Sequence, residues 1–189
     1  MKLVFATHNK NKLLEVKALL PKHIELLSLD DIGCTEDIPE TSDTIEGNAI
    51  QKANYVSEKY RVNCFADDTG LEVRALNGEP GVLSARYAGE EKDAQANMNK
   101  LLAALKDKNN REARFKTAIA VNLASEKVIF TGIANGIITD RQYGDKGFGY
   151  DPVFIPDGYN KTFAELPLSV KNEISHRAKA MYQLIDYLK

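Results

Sequence analysis

Hydrophobic positions recur along this chain with two periods, and the switches between them divide it into elements. Residues 2–6 are a short apolar run that reads as a buried strand; after a polar loop, Leu13, Leu14, Val16, Leu19 and Leu20 fall at helical spacing. Pro21 closes that helix. Residues 24–29 read as a second strand, so the chain opens as strand, polar loop and helix, and the N-terminus of such a helix favours anions. A second helix is predicted from Asp43 or Thr44, because Asp43 and Glu46 have the spacing of a capping box. Ile45, Ala49, Ala53, Val56 and Tyr60 make its apolar stripe, with Lys52 at the stripe's edge, where a plain surface lysine is not the first choice.

Residues 62–66 predict a buried strand ending at Asp67-Asp68-Thr69-Gly70, and residues 71–76 predict another. Asn77-Gly78-Glu79-Pro80-Gly81 is a turn by composition. A helix over 94–105 places Met98, Leu101, Leu102 and Leu105 inward, and residues 106–112 form a solvated connection. Residues 114–124 and 128–139 are long β-rich stretches separated by Ser125-Glu126, the pattern of a hairpin or extended ribbon. A last helix carries Ile174, Ala178, Met181, Ile185 and Leu188 on one face. Strands mixed with helices, and a long β-pair in the middle, predict an α/β fold with a mixed, partly long-stranded sheet flanked by helices.

Composition narrows the function classes. At 189 residues the chain fits one large domain, or a core with a lobe. Its 43% hydrophobic and 28% charged residues are ordinary for a soluble globular protein. A net charge of −2 argues against a nucleic-acid partner, which calls for a basic face. No apolar run approaches the ~20 residues of a membrane span, and the N-terminal run is too short for a signal core. Cys34 and Cys64 are too few for a disulfide framework and read as free thiols in a reducing cytoplasm.

Against that background three polar groupings stand out. Thr7-His8-Asn9-Lys10-Asn11-Lys12 supplies donors and positive charge at a helix start, as phosphate binding requires, though a polar strand-to-helix loop can equally be only a turn. It lacks the glycines of a Walker A loop. Asp67-Asp68 is predicted at the carboxyl edge of a sheet, where α/β folds bind ligands and where Mg²⁺ needs only one or two acids if phosphates complete its shell. The competing reading is a turn in which these acids cap local backbone. Glu40 is a candidate second acid, or else a solvated loop carboxylate among Glu36, Asp37 and Asp43.

The third grouping is Gly147-Phe148-Gly149-Tyr150-Asp151-Pro152, followed by Lys171 and by Ser175-His176-Arg177. An aromatic on a glycine-flanked loop, an acid and a set of donors can make a slot for a flat polar ligand. Phe148 and His176 could equally be a core aromatic and a plain helix residue; Lys52, Lys171 and Arg177 are the candidate cations. Base slot, phosphate loop and metal-binding acids together point to an enzyme acting on a nucleotide.

Taken in order, FATHNKNK, PETSDTIEGNAIQKA, FADDTGLEV, GEPGVLSARYAG, NMNKLL, GFGYDPVF and KNEISHRAKA resemble the noncanonical purine nucleoside triphosphate pyrophosphatases, the inosine triphosphatase or house-cleaning family. The likeness covers essentially the whole chain. It implies a single pyrophosphatase domain over residues 1–189, with two lobes around a central cleft, usually assembled as a homodimer. It also implies Mg²⁺-dependent cleavage of ITP, dITP or XTP between the α and β phosphates, giving a nucleoside monophosphate and pyrophosphate.

Carried over by position, the 7–12 loop resembles the family's triphosphate loop, with Lys12 as its key cation and Lys52 as a further phosphate ligand. Glu40 and Asp68 match the metal-binding acids, Asp68 also matches the proton acceptor, and Asp67 is a supporting acid. Thr69 takes the place of a substrate-contacting hydroxyl, and Lys171 is assigned with Lys12 and Lys52 to the triphosphate. Phe148, Gly149, Tyr150, Asp151, Lys171, His176 and Arg177 match the base and sugar pocket. His8 stands where glycine is often found, and Ile45 where phenylalanine is more usual. Arg177 has only donors and His176 can donate, so both suit the 6-oxygen of hypoxanthine or xanthine and leave a penalty for the amine of adenine. A pyrophosphatase for other modified nucleotides and a non-catalytic nucleotide sensor are the rival readings.

Overall fold

The chain builds one mixed sheet with helices against it. The structure, a computed structural model, describes residues 1–124 and 126–189. Its strands are β1 (Lys2–Phe5), β2 (Glu25–Leu27), β3 (Cys64–Val73), β4 (Pro80–Gly81), β5 (Glu112–Leu123), β6 (Glu126–Ile138) and β7 (Phe154–Pro156). The α-helices are α1 (Lys10–Leu19), α2 (Ile45–Tyr60), α3 (Ala94–Ala104), α4 (Leu168–Ile174) and α5 (His176–Tyr187). The strands lie in the order β2-β1-β3-β5-β6-β7, with β4 added to β3. β1 runs parallel to both β2 and β3, which requires crossovers through α1 and α2. The β3–β4 and β6–β7 pairs are antiparallel, so the sheet is mixed, as the sequence predicts.

Two compact units divide the chain. The first comprises Met1–Asp68, Thr117–Gly132 and Arg177–Lys189, and its core gathers Leu3, Phe5, Val16, Phe65, Ile119 and Leu184. Phe5 and Phe65 stack there with ring centroids 4.5 Å apart. The second comprises Thr69–Lys116 and Ile133–His176, around Leu71, Leu101, Phe115, Ile138, Phe154 and Phe163. Two of the four boundaries fall between Asp68 and Thr69 and between His176 and Arg177, inside two of the motifs that carry chemistry.

The helix starts follow local hydrogen bonding. Asn9 caps α1 by accepting from the N–H groups of Asn11 and Lys12. For α2 the cap is Thr44, whose hydroxyl accepts from the Gly47 N–H at 3.0 Å; Asp43 does not play that part. Its apolar stripe is buried at Ile45, Ala49, Ala53 and Val56 as predicted, whereas Tyr60 is half-buried and turns its hydroxyl to Glu36. Asn77 and Gly78 take left-handed conformations, φ 54° and 90°, and make the predicted turn.

Two predicted elements differ. The Asp67-Asp68-Thr69-Gly70 segment is no strand end; it lies inside the single continuous strand β3. Polar, turn-type residues read as punctuation here, but buried neighbours on both sides carry the extended chain straight through. The last helix is two helices, α4 and α5, separated by an extended Ser175 (ψ 157°), so Ile174 belongs to α4. The residue Ser125 in the predicted turn between β5 and β6 lies outside the described residues. Among the described residues no helix is long and apolar enough to cross a membrane.

Candidate active site

In the first unit the strand period decides what the acids do. Neighbours on β3 point to opposite faces, so Asp67 and Asp68 meet different partners. Asp67 is fully buried: Lys12 Nζ donates to Oδ1 at 2.9 Å and Arg177 Nε to Oδ2 at 3.0 Å. Arg177, 2% exposed, also donates through Nη1 to Glu15 Oε2 at 2.5 Å. Lys12, Asp67, Arg177 and Glu15 thus form a chain of alternating charges. Burial alone would raise the Asp67 pKa, but the charges of Lys12, Arg177 and Lys52 outweigh it and hold the carboxyl well below the usual range.

Asp68 meets Asn48, whose Nδ2 donates to Oδ2 at 3.3 Å, and Lys52, whose Nζ lies 3.7 Å from Oδ1. The same ammonium donates to Glu40 Oε1 at 2.6 Å. Lys52 is 6% exposed, which explains its position on the helix: its stem is packed while its head reaches the two acids. Burial pushes the Asp68 pKa up, with Glu40 and Asp67 adding to the rise against Lys52 and Lys12. Burial would depress Lys52, but Asp68, Glu40 and Asp67 together raise it.

These acids fit a hard divalent cation. Glu40 and Asp68 already converge on one cationic centre, and two carboxylates face a single ammonium, so this cluster carries an excess of negative charge. Among the described residues no group of three or more His, Cys, Asp or Glu could hold a metal unaided. Oxygen atoms from a ligand would therefore have to complete the shell, as phosphates do for Mg²⁺.

The 7–12 loop is locally wired. Thr7 Oγ1 accepts from the Asn9 N–H at 3.1 Å, and Asn9 takes the first amides of α1. Lys10 and Asn11 are exposed. His8 turns its side chain out of the loop, donating from Nε2 to the Glu36 carbonyl at 2.9 Å. Burial lowers the Lys12 pKa, with Asp67 opposing and Lys52 and Arg177 adding to the fall.

In the second unit a glycine-flanked aromatic is set by an ion pair. Gly147 and Gly149 have φ 70° and 60°, and a Cβ on Gly147 would lie 2.2 Å from Asp151 Oδ2, so only glycine fits there. Asp151 Oδ2 accepts from the Phe148 N–H at 2.9 Å and from Lys171 Nζ at 2.6 Å. That ammonium also sits 4.9 Å from the centroid of the half-buried Phe148 ring. His176 is buried with its ring stacked on Phe115, centroids 4.5 Å apart.

Three residues expected at the ligand have protein partners in the structure. Lys171 pairs its ammonium with Asp151 Oδ2 at 2.6 Å. Tyr150 is a core residue whose hydroxyl donates to the Ser84 carbonyl at 2.7 Å. Arg177 turns two of its donors to Asp67 and Glu15. Thr69, next to Asp68 on β3, is half-buried.

Residues 3–187 of the chain match the Ham1 family. The chain belongs to that family. It is 64% identical to a Flavobacterium johnsoniae protein named dITP/XTP pyrophosphatase, covering 100% of this chain and 98% of that protein. It is 46% identical to the Bacillus subtilis protein of the same name, over 98% and 96% of the two chains. Among solved structures, the Staphylococcus aureus Ham1 protein superposes with a TM-score of 0.90 at 39% identity, over 100% of this chain and 98% of that one.

Within this Ham1 chain, Glu15, Asn48 and Glu36 escaped the sequence reading. Asn48 carried a signal, since it lies one helical turn before Lys52 on the same face of α2. Glu15 neighbours the apolar Val16 and is itself buried, but a single acid in a helix gives no hint of that. Ile45, the other departure from the expected motif, is buried at the start of α2 and serves packing.

Proposed function

We propose that this chain hydrolyses dITP, ITP and XTP to the nucleoside monophosphate and pyrophosphate, clearing them from the nucleotide pool. The observation that carries the reading is the convergence of Glu40 and Asp68 on the Lys52 ammonium, with the Asp68 pKa held up by burial. A carboxylate of raised pKa suits a proton acceptor. Asp68 orients a water and takes its proton; the water oxygen bonds to the α-phosphorus, and the bond from that phosphorus to the bridging oxygen breaks. The electron pair leaves with pyrophosphate.

Lys12 and Lys52 face the charge of the phosphates, and the half-buried Lys12 ammonium gains by meeting an anion. The 7–12 loop around Lys12, with Thr7, Asn9, Lys10 and Asn11, frames the triphosphate, and Thr69 offers a hydroxyl. Glu40 and Asp68 would hold a divalent cation, for which Mg²⁺ is the proposal; when bound it supplies charge compensation to the phosphates. Asp67 keeps Lys12 and Arg177 in place rather than ligating.

Phe148, on its glycine-flanked loop, stacks on the base, while Asp151 and Lys171 hold that loop in shape. His176 donates toward the 6-oxygen, with Arg177 beside it in sequence. Homodimer assembly, resting on the sequence resemblance, and a cytoplasmic setting, resting on Cys34 and Cys64 as free thiols, are part of this proposal; light scattering and cell fractionation check them.

The test is pyrophosphate release from ITP, dITP, XTP, GTP and ATP, each with Mg²⁺ and with EDTA. Release confined to ITP, dITP and XTP and dependent on Mg²⁺ supports the proposal. Equal rates on ATP would remove the base-reading half of it, and release in EDTA would remove the metal.

A further inference from the structure

The acid that anchors the metal proposal sits on a segment without helix or strand, residues 33–44 between a 3-10 turn and α2. Such a stretch holds a side chain in place only if it is tied down. The ties come from one face of α2. Asn48, Gln51, Lys52, Tyr55 and Lys59 recur at helical spacing and form a second stripe, polar, beside the apolar one. Asn48 Oδ1 accepts from the Ser42 N–H at 2.8 Å, and Gln51 Oε1 accepts from the Thr41 N–H at 2.8 Å. Gln51 Nε2 returns a bond to Thr41 Oγ1 at 2.9 Å, and Lys52 meets Glu40 one residue further on.

The far end of this zipper is Glu36. Its carboxylate accepts from Lys59 Nζ at 2.5 Å, from Tyr55 at 3.1 Å, and from Tyr60 at 2.8 and 3.0 Å on its two oxygens. Its main-chain carbonyl accepts from His8 Nε2, so the same residue ties the 33–44 segment to the 7–12 loop.

We infer that Glu36, clamped by Tyr55, Lys59 and Tyr60 and hooked by His8, is a positioning residue that sets Glu40 and the 7–12 loop in register. This rests on the proposed role of Glu40. Glu36 touches neither substrate nor metal; it removes the slack between the two segments that do. His8 supplies the hook with a side chain that glycine lacks.

The experiment compares the unaltered protein with Glu36→Gln and His8→Ala by amide hydrogen exchange and by Mg²⁺ titration of pyrophosphate release from dITP. In Glu36→Gln the Thr41 and Ser42 amides should exchange about tenfold faster, the scale of losing a charge-assisted hydrogen bond. Half-saturating Mg²⁺ should rise by a similar factor, with kcat at saturating Mg²⁺ changed about twofold or less. His8→Ala should shift both quantities in the same direction and by less, since its ring is exposed. Unchanged exchange at Thr41 and Ser42 in Glu36→Gln would overturn the inference, as would faster exchange with unmoved half-saturating Mg²⁺. If the unaltered protein released no pyrophosphate, the proposed function would fail on its own, and the exchange arm would still decide whether Glu36 holds the segment.

Discussion

The two units treat buried charge in different ways. The first gathers several ionised groups, buried or half-buried: Lys12, Asp67, Arg177 and Glu15 alternate in sign, while Lys52 is shared by Glu40 and Asp68. In the second, the buried Lys171–Asp151 pair stands against aromatic rings, with Lys171 facing both Phe148 and Phe163. A network of several charges shares each charge among several partners, so an arriving anion or cation finds groups of opposite sign already in place. An ion pair among aromatic rings instead fixes geometry, because moving either charge leaves the other desolvated. Under the proposed function, chemistry that shifts charge falls to the first arrangement and recognition of a flat ring to the second.

The largest effect that would break this contrast is on turnover. Asp68→Asn should lower kcat for dITP by about 10³-fold, the scale of removing a general base, while nucleotide binding changes little. The same substitution should stabilise the metal-free protein. Since burial raises the Asp68 pKa, its ionisation opposes folding; the penalty is absent below the ordinary value of 3.8, grows as pH rises above it and is complete above the folded value. In EDTA near pH 7, Asp68→Asn should therefore melt about 2–4 °C higher, and about equally at pH 3.

Asp67, its neighbour, has the opposite sign. Its depressed pKa gives stability that is present above the ordinary 3.8 and is lost as pH falls toward the folded value. Asp67→Asn leaves Lys12 and Arg177 facing an amide and should cost about 3–5 kcal/mol, read from denaturant unfolding, and flatten the acid limb of stability against pH. Lys171→Met should cost about the same or somewhat less stability but should also loosen the Phe148 loop, raising KM for dITP more than it lowers kcat. The smallest effect is Phe148→Leu, where loss of stacking should raise KM about tenfold and leave the metal requirement unmoved.

How much of this was legible in the sequence depended on whether the signal was local. Lys52 announced itself because a lysine at the edge of an apolar helical stripe is unusual, and it proved to be buried between two acids. Gly147 and Gly149 marked a glycine-flanked loop around Phe148, and both take left-handed conformations. The partners of Arg177 were not legible, since Asp67 and Glu15 lie 110 and 162 residues away along the chain. The break at Ser175 was hidden too, because Ile174, Ala178, Met181 and Ile185 keep helical spacing across it. The acids of β3 misled by composition: Asp and Gly favour turns, but burial of Phe65, Ala66 and Leu71 on either side keeps the strand extended.

In the proposed reaction, water attacks the α-phosphorus beside Asp68 and pyrophosphate departs intact. A single turnover of dITP in ¹⁸O-labelled water with Mg²⁺, read by mass spectrometry, tests it directly. Attack at the α-phosphorus leaves one ¹⁸O in the dIMP product and none in pyrophosphate. Label in pyrophosphate, or release of orthophosphate in place of pyrophosphate, would contradict it.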